Sequence, residues 1–238
     1  MRALLDGAKQ LRIDLEPHQV EAFRVYQQEL LDETPRAALT AITDRETVQR
    51  RHFLESLALL IALEQANALG ETAIDIGAGA GFPGLPIKIL RPNLRLTLLE
   101  ATAKKAAFLE RLVGHLRLPD VTVINARAEE LAHHPAHRQA YDLALARAVS
   151  PLPTLVELAL GFLPIGGFLA TPKGSRAGQE VEQAAAALEA CGGLVQLVHP
   201  LDVPGPGTPP TLVLIRKQSE TPDRFPRRPG IPFKRPLR

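Results

Sequence analysis

The chain of 238 residues has no tryptophan, one cysteine and one methionine, and only 4% of it is aromatic. The lone Cys191 excludes a disulfide framework and a cysteine-rich zinc site, and it suits a reducing compartment. Standing just before Gly192-Gly193, it reads as a buried structural thiol. Long apolar runs are missing too. The run 58–63, between Glu55 and Glu64, is far too short to cross a bilayer. The opening MRALLDGAKQ lacks the apolar stretch of a secretory signal. A composition 45% hydrophobic and 23% charged excludes a disordered chain, and no internal repeat is visible. The expectation is a soluble, cytoplasmic protein of one large domain with room for an appendage.

The formal net charge of +2 conceals an asymmetry. Residues 216–238 carry eight Lys or Arg against two acids, a net of +6, which leaves −4 on the rest. A basic end on a mildly acidic body suits a polyanionic partner such as nucleic acid; a merely solubilising tail would look the same.

Residues 1–69 hold no convincing strand. Leu57, Leu60, Ile61 and Glu64 recur at helical spacing, which predicts a helical extension broken into pieces by Pro17 and Pro35. Strands are predicted at 72–76, 95–100, 121–125, 141–146, 167–171, 194–199 and 211–216. Helices are predicted at 102–118, 151–163 and 176–191, the first with Phe108, Leu109, Leu112, Val113 and Leu116 on one stripe. Alternating strands and helices predict an α/β fold with a mainly parallel sheet covered on both faces. Only residues 202–210 join the last two strands, too few for a crossover helix, so that pair should be antiparallel. Seven strands ending this way outline the Rossmann-like class I methyltransferase sheet. The boundaries expected are 1–69 for the extension, 70–217 for the catalytic domain and 218–238 for a basic tail. That tail, with five prolines between 221 and 238, is predicted to be extended.

The strongest local signal is Asp75-Ile76-Gly77-Ala78-Gly79-Ala80-Gly81-Phe82-Pro83-Gly84. It follows the first strand and opens a helix, the setting of a nucleotide-binding turn, with Glu100 ending the next strand where an acid can accept from ribose hydroxyls. Two cofactors compete. A dinucleotide's diphosphate needs backbone N–H donors at the helix start, and Pro83 and Pro86 remove two of them. S-adenosyl-L-methionine has no phosphate, and its amino group and sulfonium are compatible with Asp75. The methyl donor is therefore favoured over a nicotinamide dinucleotide.

The segments DIGAGAGFPGLPIKILRP, LTLLEATAKKAAFLERL, ARAEEL, ARAVSPL and PKG, with Arg51-His52-Phe53-Leu54-Glu55-Ser56-Leu57 upstream and FPRRPGIPFKRPL downstream, resemble the bacterial RsmG (GidB) family. The likeness runs from about Leu39 to the end. It departs from the family pattern over 32–38, where only Leu39-Thr40-Ala41-Ile42 remains of a longer motif, and Glu55 stands where the family usually has Asp. The resemblance implies S-adenosyl-L-methionine-dependent methylation of N7 of a guanine in the decoding-region loop of 16S ribosomal RNA, by a monomer acting on the small ribosomal subunit or its assembly intermediate. Carried over by position, it implies cofactor contacts at Gly77, Phe82, Glu100, Ala101, Thr102, Ala128, Glu129 and Arg147; Gly79, in the same glycine turn, is a further candidate for the cofactor.

Guanine N7 has a free lone pair and no hydrogen, so the reaction needs alignment rather than a general base. The residues agree: the fourth strand runs into Ala146-Arg147-Ala148-Val149-Ser150, not into an Asn-Pro-Pro-Tyr-like segment. Arg147 and Lys173 should stand at the carboxyl ends of the fourth and fifth strands, where ligands sit in such sheets, Arg147 against cofactor or guanine edge and Lys173 against phosphate. Arg51 and His52 would extend an RNA surface, and Arg224, Arg227, Arg228, Lys234 and Arg235 would add salt-sensitive phosphate contacts. His133, His134 and His137 suggest a metal, but Pro135 interrupts their helix and no acid accompanies them, so none is expected. The rival readings are an NAD(P)-dependent oxidoreductase, for which no hydride-transfer residue is evident, and a non-catalytic RNA-binding module.

Overall fold

The computed structural model describes residues 1–237; Arg238, the last cation of the tail, lies outside the described residues. Strands β1 (Thr72–Ile76), β2 (Arg95–Leu99), β3 (Val121–Ile124), β4 (Leu143–Leu145), β5 (Phe168–Lys173), β6 (Gly193–Pro200) and β7 (Thr211–Lys217) form one sheet. Their spatial order is β3-β2-β1-β4-β5-β7-β6. The pairs among β1 to β5 are parallel, and β7 runs antiparallel to both β5 and β6, as the short connection requires. Central β4 is buried at all three positions, which is why its sequence is uniformly apolar, whereas edge strand β6 alternates half-buried and exposed residues along most of its length.

The helices are α1 (Arg2–Gln10), α2 (Pro17–Ala37), α3 (Arg45–Val48), α4 (Glu55–Gln65), α5 (Gly84–Leu90), α6 (Ala103–Leu116), α7 (Ala128–Leu131), α8 (Leu152–Ala159), α9 (Ala177–Gln183), α10 (Ala185–Cys191) and α11 (Ile231–Lys234). A π-helical stretch, Gln49–Leu54, joins α3 to α4, and a 3-10 turn, Leu160–Phe162, extends α8. Phe23, Tyr26 and Leu30 of α2 pack with Phe53, Leu57 and the α6 stripe in one apolar cluster on one face of the sheet. Leu155 and Val156 of α8 pack with Leu188 and Cys191 of α10 against Ile74, Ile76, Val213 and Ile215 in the other. The amino-terminal helices are thus part of the core, and truncating a fully buried side chain such as Leu57 would cost about 2–5 kcal/mol.

Three expectations need correction. Pro35 does not break its helix: it lies in the last turn of α2, where its missing N–H removes only one bond, and Ala38 ends the helix at φ 47°. The helix expected over 176–191 is two, parted at Ala184. The tail is not wholly extended, because Ile231–Lys234 forms one helical turn that places Pro232 where no N–H is needed.

The strand order reverses between β1 and β4, which opens a crevice at their carboxyl ends. The glycine turn after β1 and the Arg147 segment after β4 both lie there. They meet closely: a Cβ built on Gly77 would stand 2.9 Å from a methyl of Val149.

Candidate active site

The glycine turn needs its glycines. Gly77, Gly79 and Gly81 have φ of 66°, 60° and 97°. A Cβ on Gly81 would lie 2.5 Å from Leu85 Cδ1 and 2.6 Å from the Tyr26 hydroxyl. Three side chains hold the turn. The Tyr26 hydroxyl donates to the Ala80 carbonyl at 2.6 Å. Glu100 accepts from the Gly79 N–H at 2.9 Å with one oxygen and from the Thr102 N–H at 2.8 Å with the other. Asp75 accepts from the Gly84 N–H at 2.8 Å. Asp75 is fully buried, its other oxygen has no partner among the described residues, and burial pushes its carboxyl up to about 7, partly opposed by the Gly84 hydrogen bond and Arg147.

The first turn of α5 has no donor left for an anion. The Gly84 N–H is engaged by Asp75, the Leu85 N–H goes to the Gly81 carbonyl at 2.9 Å, Pro86 has none, and the Ile87 N–H goes to the Pro83 carbonyl at 3.3 Å. Two carboxylates, Asp75 and Glu100, stand behind the turn instead. This donor set is wrong for a diphosphate and fits a cationic, phosphate-free ligand such as S-adenosyl-L-methionine.

On the other side of the crevice Arg147 is bound into the amino-terminal helices. Its guanidinium donates to the Arg51 carbonyl at 3.0 Å and to His52 Nδ1 at 3.0 Å, lies 3.5 Å from a carboxylate oxygen of Glu55, and sits 5.0 Å from the centre of the Phe82 ring. Arginine can only donate, so His52 Nδ1 accepts and the imidazole proton lies on Nε2, which donates to the Thr40 hydroxyl oxygen at 2.8 Å. Burial, reinforced by Arg147, lowers the His52 pKa to about 3, so the ring is neutral. The Thr40 oxygen also accepts from the Ile42 N–H at 3.1 Å, which leaves the hydroxyl proton free to donate. Glu55 is shared by Arg51 at 2.9 Å and Arg147; burial raises its pKa, and the two guanidinium groups oppose the rise. Phe82 stacks on Tyr26 (5.0 Å, 5°) and on His52 (4.6 Å, 22°), tying the glycine turn to both helices.

A cavity of about 1070 Å³ opens between these parts. Of the residues singled out in the sequence it brings together Gly77, Gly79, Phe82, Arg51, His52, Arg147 and Lys173. Lys173 is only 10% exposed, and its ammonium is held by the Ser150 carbonyl at 2.8 Å and by Glu180 at 3.0 Å, so it braces the wall. Exposed Arg51 and Arg176 and half-buried Lys105 surround the cavity with positive charge.

The other candidates lie outside this lining. Asp75 and Glu100 are buried behind the turn, and Ala101 and Thr102 are exposed beyond β2. Ala128 and Glu129 begin α7; burial would raise the Glu129 pKa, but hydrogen bonds from the Gly230 N–H (2.9 Å) and Arg127 hold it low. Arg227 forms a two-point bond to fully buried Glu157 at 2.8 and 2.7 Å, so its charge neutralises an internal carboxylate instead of facing solvent with Arg228, Lys234 and Arg235. The three histidines diverge: His133 bonds the Pro226 carbonyl, His137 bonds Tyr141, and His134 Nδ1 accepts from the Ala136 N–H. Burial pushes the Cys191 thiol up to about 12.

Tyr26 and Thr40, which hold the glycine turn and His52, are the site side chains that the sequence did not single out. Tyr26 is one of only two tyrosines, but nothing local connects it to a loop 54 residues away. Thr40 stood in the surviving Leu39-Thr40 remnant, the one available signal.

The sheet order, the reversed β7 and the phosphate-averse glycine turn together define a class I S-adenosyl-L-methionine-dependent methyltransferase fold. The solved structure of mitomycin 7-O-methyltransferase MmcR superposes with a TM-score of 0.56 at 19% identity, over 84% of this chain and 66% of that one. The branched-chain polyamine synthase C9 mutein of Thermus thermophilus, solved with N4-aminopropylspermidine and 5'-methylthioadenosine, gives 0.58 at 16%, over 84% and 65%. The sequence profile of the family GidB, rRNA small subunit methyltransferase G, matches residues 19–204. Ribosomal RNA small subunit methyltransferase G of Roseiflexus sp. (strain RS-1) is 45% identical over 237 residues, 100% of both chains. The chain belongs to this family.

Proposed function

We propose that this protein transfers a methyl group from S-adenosyl-L-methionine to N7 of a guanine in the decoding-region loop of 16S ribosomal RNA. The observation that carries the choice of cofactor is the first turn of α5, whose N–H groups are missing or engaged while Asp75 and Glu100 lie behind the turn. A nicotinamide dinucleotide would set its diphosphate near the acidic side chains of Asp75 and Glu100 with no free donor in the first turn of α5 to receive it.

The bound cofactor would supply an electrophilic methyl group. Gly77 and Gly79 give it backbone at close range, and Glu100, next to Ala101 and Thr102, offers carboxylate lone pairs to ribose hydroxyls. Ala128 and Glu129 would flank the adenine. Because N7 carries no hydrogen, none of these residues has to remove a proton, and the chain's task is alignment and exclusion of water. Phe82 and neutral His52 give the cavity an aromatic wall, and Thr40 keeps a hydroxyl proton for an acceptor such as the guanine O6 beside N7. Arg147 positions His52 and Phe82 and reaches the same wall. Arg51, Arg176 and Lys105 would receive the RNA backbone.

The test is nucleoside analysis of small-subunit RNA methylated by the purified protein with labelled S-adenosyl-L-methionine. One 7-methylguanosine in the decoding-region loop supports the proposal. Label at another atom, or none, refutes it.

A further inference from the structure

We propose that Phe233 is a stacking platform for an unpaired base of the RNA, beside the nucleotide held in the cavity; this rests on the RNA substrate proposed above. Among the described residues the large hydrophobic side chains left exposed are Ile165, Leu194, Val198 and Phe233, and Phe233 alone of these is aromatic, at 45% exposed. It stands on the single turn α11, where Lys234 and Arg235, with Arg228 nearby in sequence, are also exposed and have no ion pair among the described residues. An exposed aromatic ring with exposed cations close by in the chain is what single-stranded nucleic acid requires: a stacking surface for a base and charge for the flanking phosphates. A purely apolar protein partner would leave those cations without counter-charges.

The turn is fixed before any ligand arrives. Thr154 donates to the Pro232 carbonyl at 3.0 Å, Glu129 holds the Gly230 N–H, and Arg227 is tied to Glu157. The tip therefore loses little conformational freedom when a base stacks on it. Its place is informative as well. Thr154 lies one helical turn from Pro151, and Pro151 lines the cavity, so α11 packs against the amino-terminal end of α8, the end that meets the cavity.

The chain has no tryptophan, so Phe233→Trp installs a single indole reporter at the proposed contact. The probe is a 16S RNA fragment carrying the decoding-region loop, titrated against wild type, Phe233→Trp, Phe233→Leu and Phe233→Ala, with calorimetry of S-adenosyl-L-methionine as the check on folding. The expected result is quenched indole emission with affinity within threefold of wild type. Phe233→Ala and Phe233→Leu should each weaken RNA binding about tenfold, cofactor affinity staying unchanged. Full affinity in the Ala or the Leu variant, or emission that ignores RNA, overturns the platform while leaving RNA binding itself intact. A wild-type protein that does not bind the fragment overturns the platform and the proposed substrate together.

Discussion

Replacing Arg147 by Met keeps most of the side-chain volume and removes every polar contact that joins the β4 segment to the amino-terminal helices. His52 Nδ1 then loses its donor, and Glu55, 7% exposed, keeps only Arg51. Orphaning a buried acceptor costs about 1–3 kcal/mol, and the guanidinium–Phe82 contact adds about 0.5–2. Against this, the arginine no longer has to be desolvated, and its side chain is 16% exposed, so part of the loss is recovered. The expected net is a destabilisation of about 2–3 kcal/mol in urea unfolding. Because part of that arises from the stranded Glu55 charge, the double variant Arg147→Met/Glu55→Gln should recover about 1–2 kcal/mol relative to the sum of the single changes. The His52 pKa, followed by NMR, should rise in Arg147→Met yet stay below its ordinary value, since burial, its larger cause, remains. A loss under about 0.5 kcal/mol, strict additivity in the cycle, or an unmoved His52 titration refutes the reasoning.

His52 and Asp75 make stability depend on pH in opposite senses. With a folded pKa of about 3 against 6.5, His52 contributes stability that is full above pH 6.5 and lost as pH falls; Asp75, at about 7 against 3.8, contributes stability that is full below 3.8 and lost as pH rises to 7. Between about pH 4 and 6.5 the two oppose each other in wild type; the Asp75 contribution is absent from Asp75→Asn, which should therefore lose stability against wild type as pH falls, by up to about 1.4 kcal/mol per pH unit; an unchanged difference across that window in urea titrations contradicts the Asp75 assignment. Gly81→Ala, with φ 97° and two contacts near 2.5 Å, should destabilise the protein by about 1–3 kcal/mol and weaken cofactor binding more than Gly79→Ala, whose Cβ meets only the Gly77 carbonyl at 3.7 Å. Equal calorimetric affinities would count against the packed turn. Arg227→Ala should lower stability by about 3 kcal/mol, because it strands fully buried Glu157. Arg228→Ala should leave stability alone and reduce the salt dependence of RNA binding by about one counterion. The reverse pattern would return Arg227 to the RNA surface.

The sheet was legible because each strand is a short apolar run between punctuation that has a physical meaning, and the 202–210 connection settles the antiparallel end by length alone. The glycine turn was equally plain: Pro83 and Pro86 announce the lost donors, whereas the engagement of Gly84 by Asp75 and of Leu85 by Gly81 arises only in the folded chain. What stayed hidden is long-range pairing. Tyr26 reaching Ala80, Glu157 capturing Arg227 and Glu129 holding Gly230 join residues 54 to 101 positions apart, and no local spacing encodes them. Pro35 misled because a helix tolerates proline where its last turn is already ending. The π-helical stretch that carries Arg51 and His52 had no periodic signal distinct from an α-helix.

Titration calorimetry of the purified protein with S-adenosyl-L-methionine, in parallel with a nicotinamide dinucleotide, tests the central claim most directly. Saturable one-site binding of the sulfonium compound and no heat from the dinucleotide is the predicted result. Binding of the dinucleotide in its place would contradict the account.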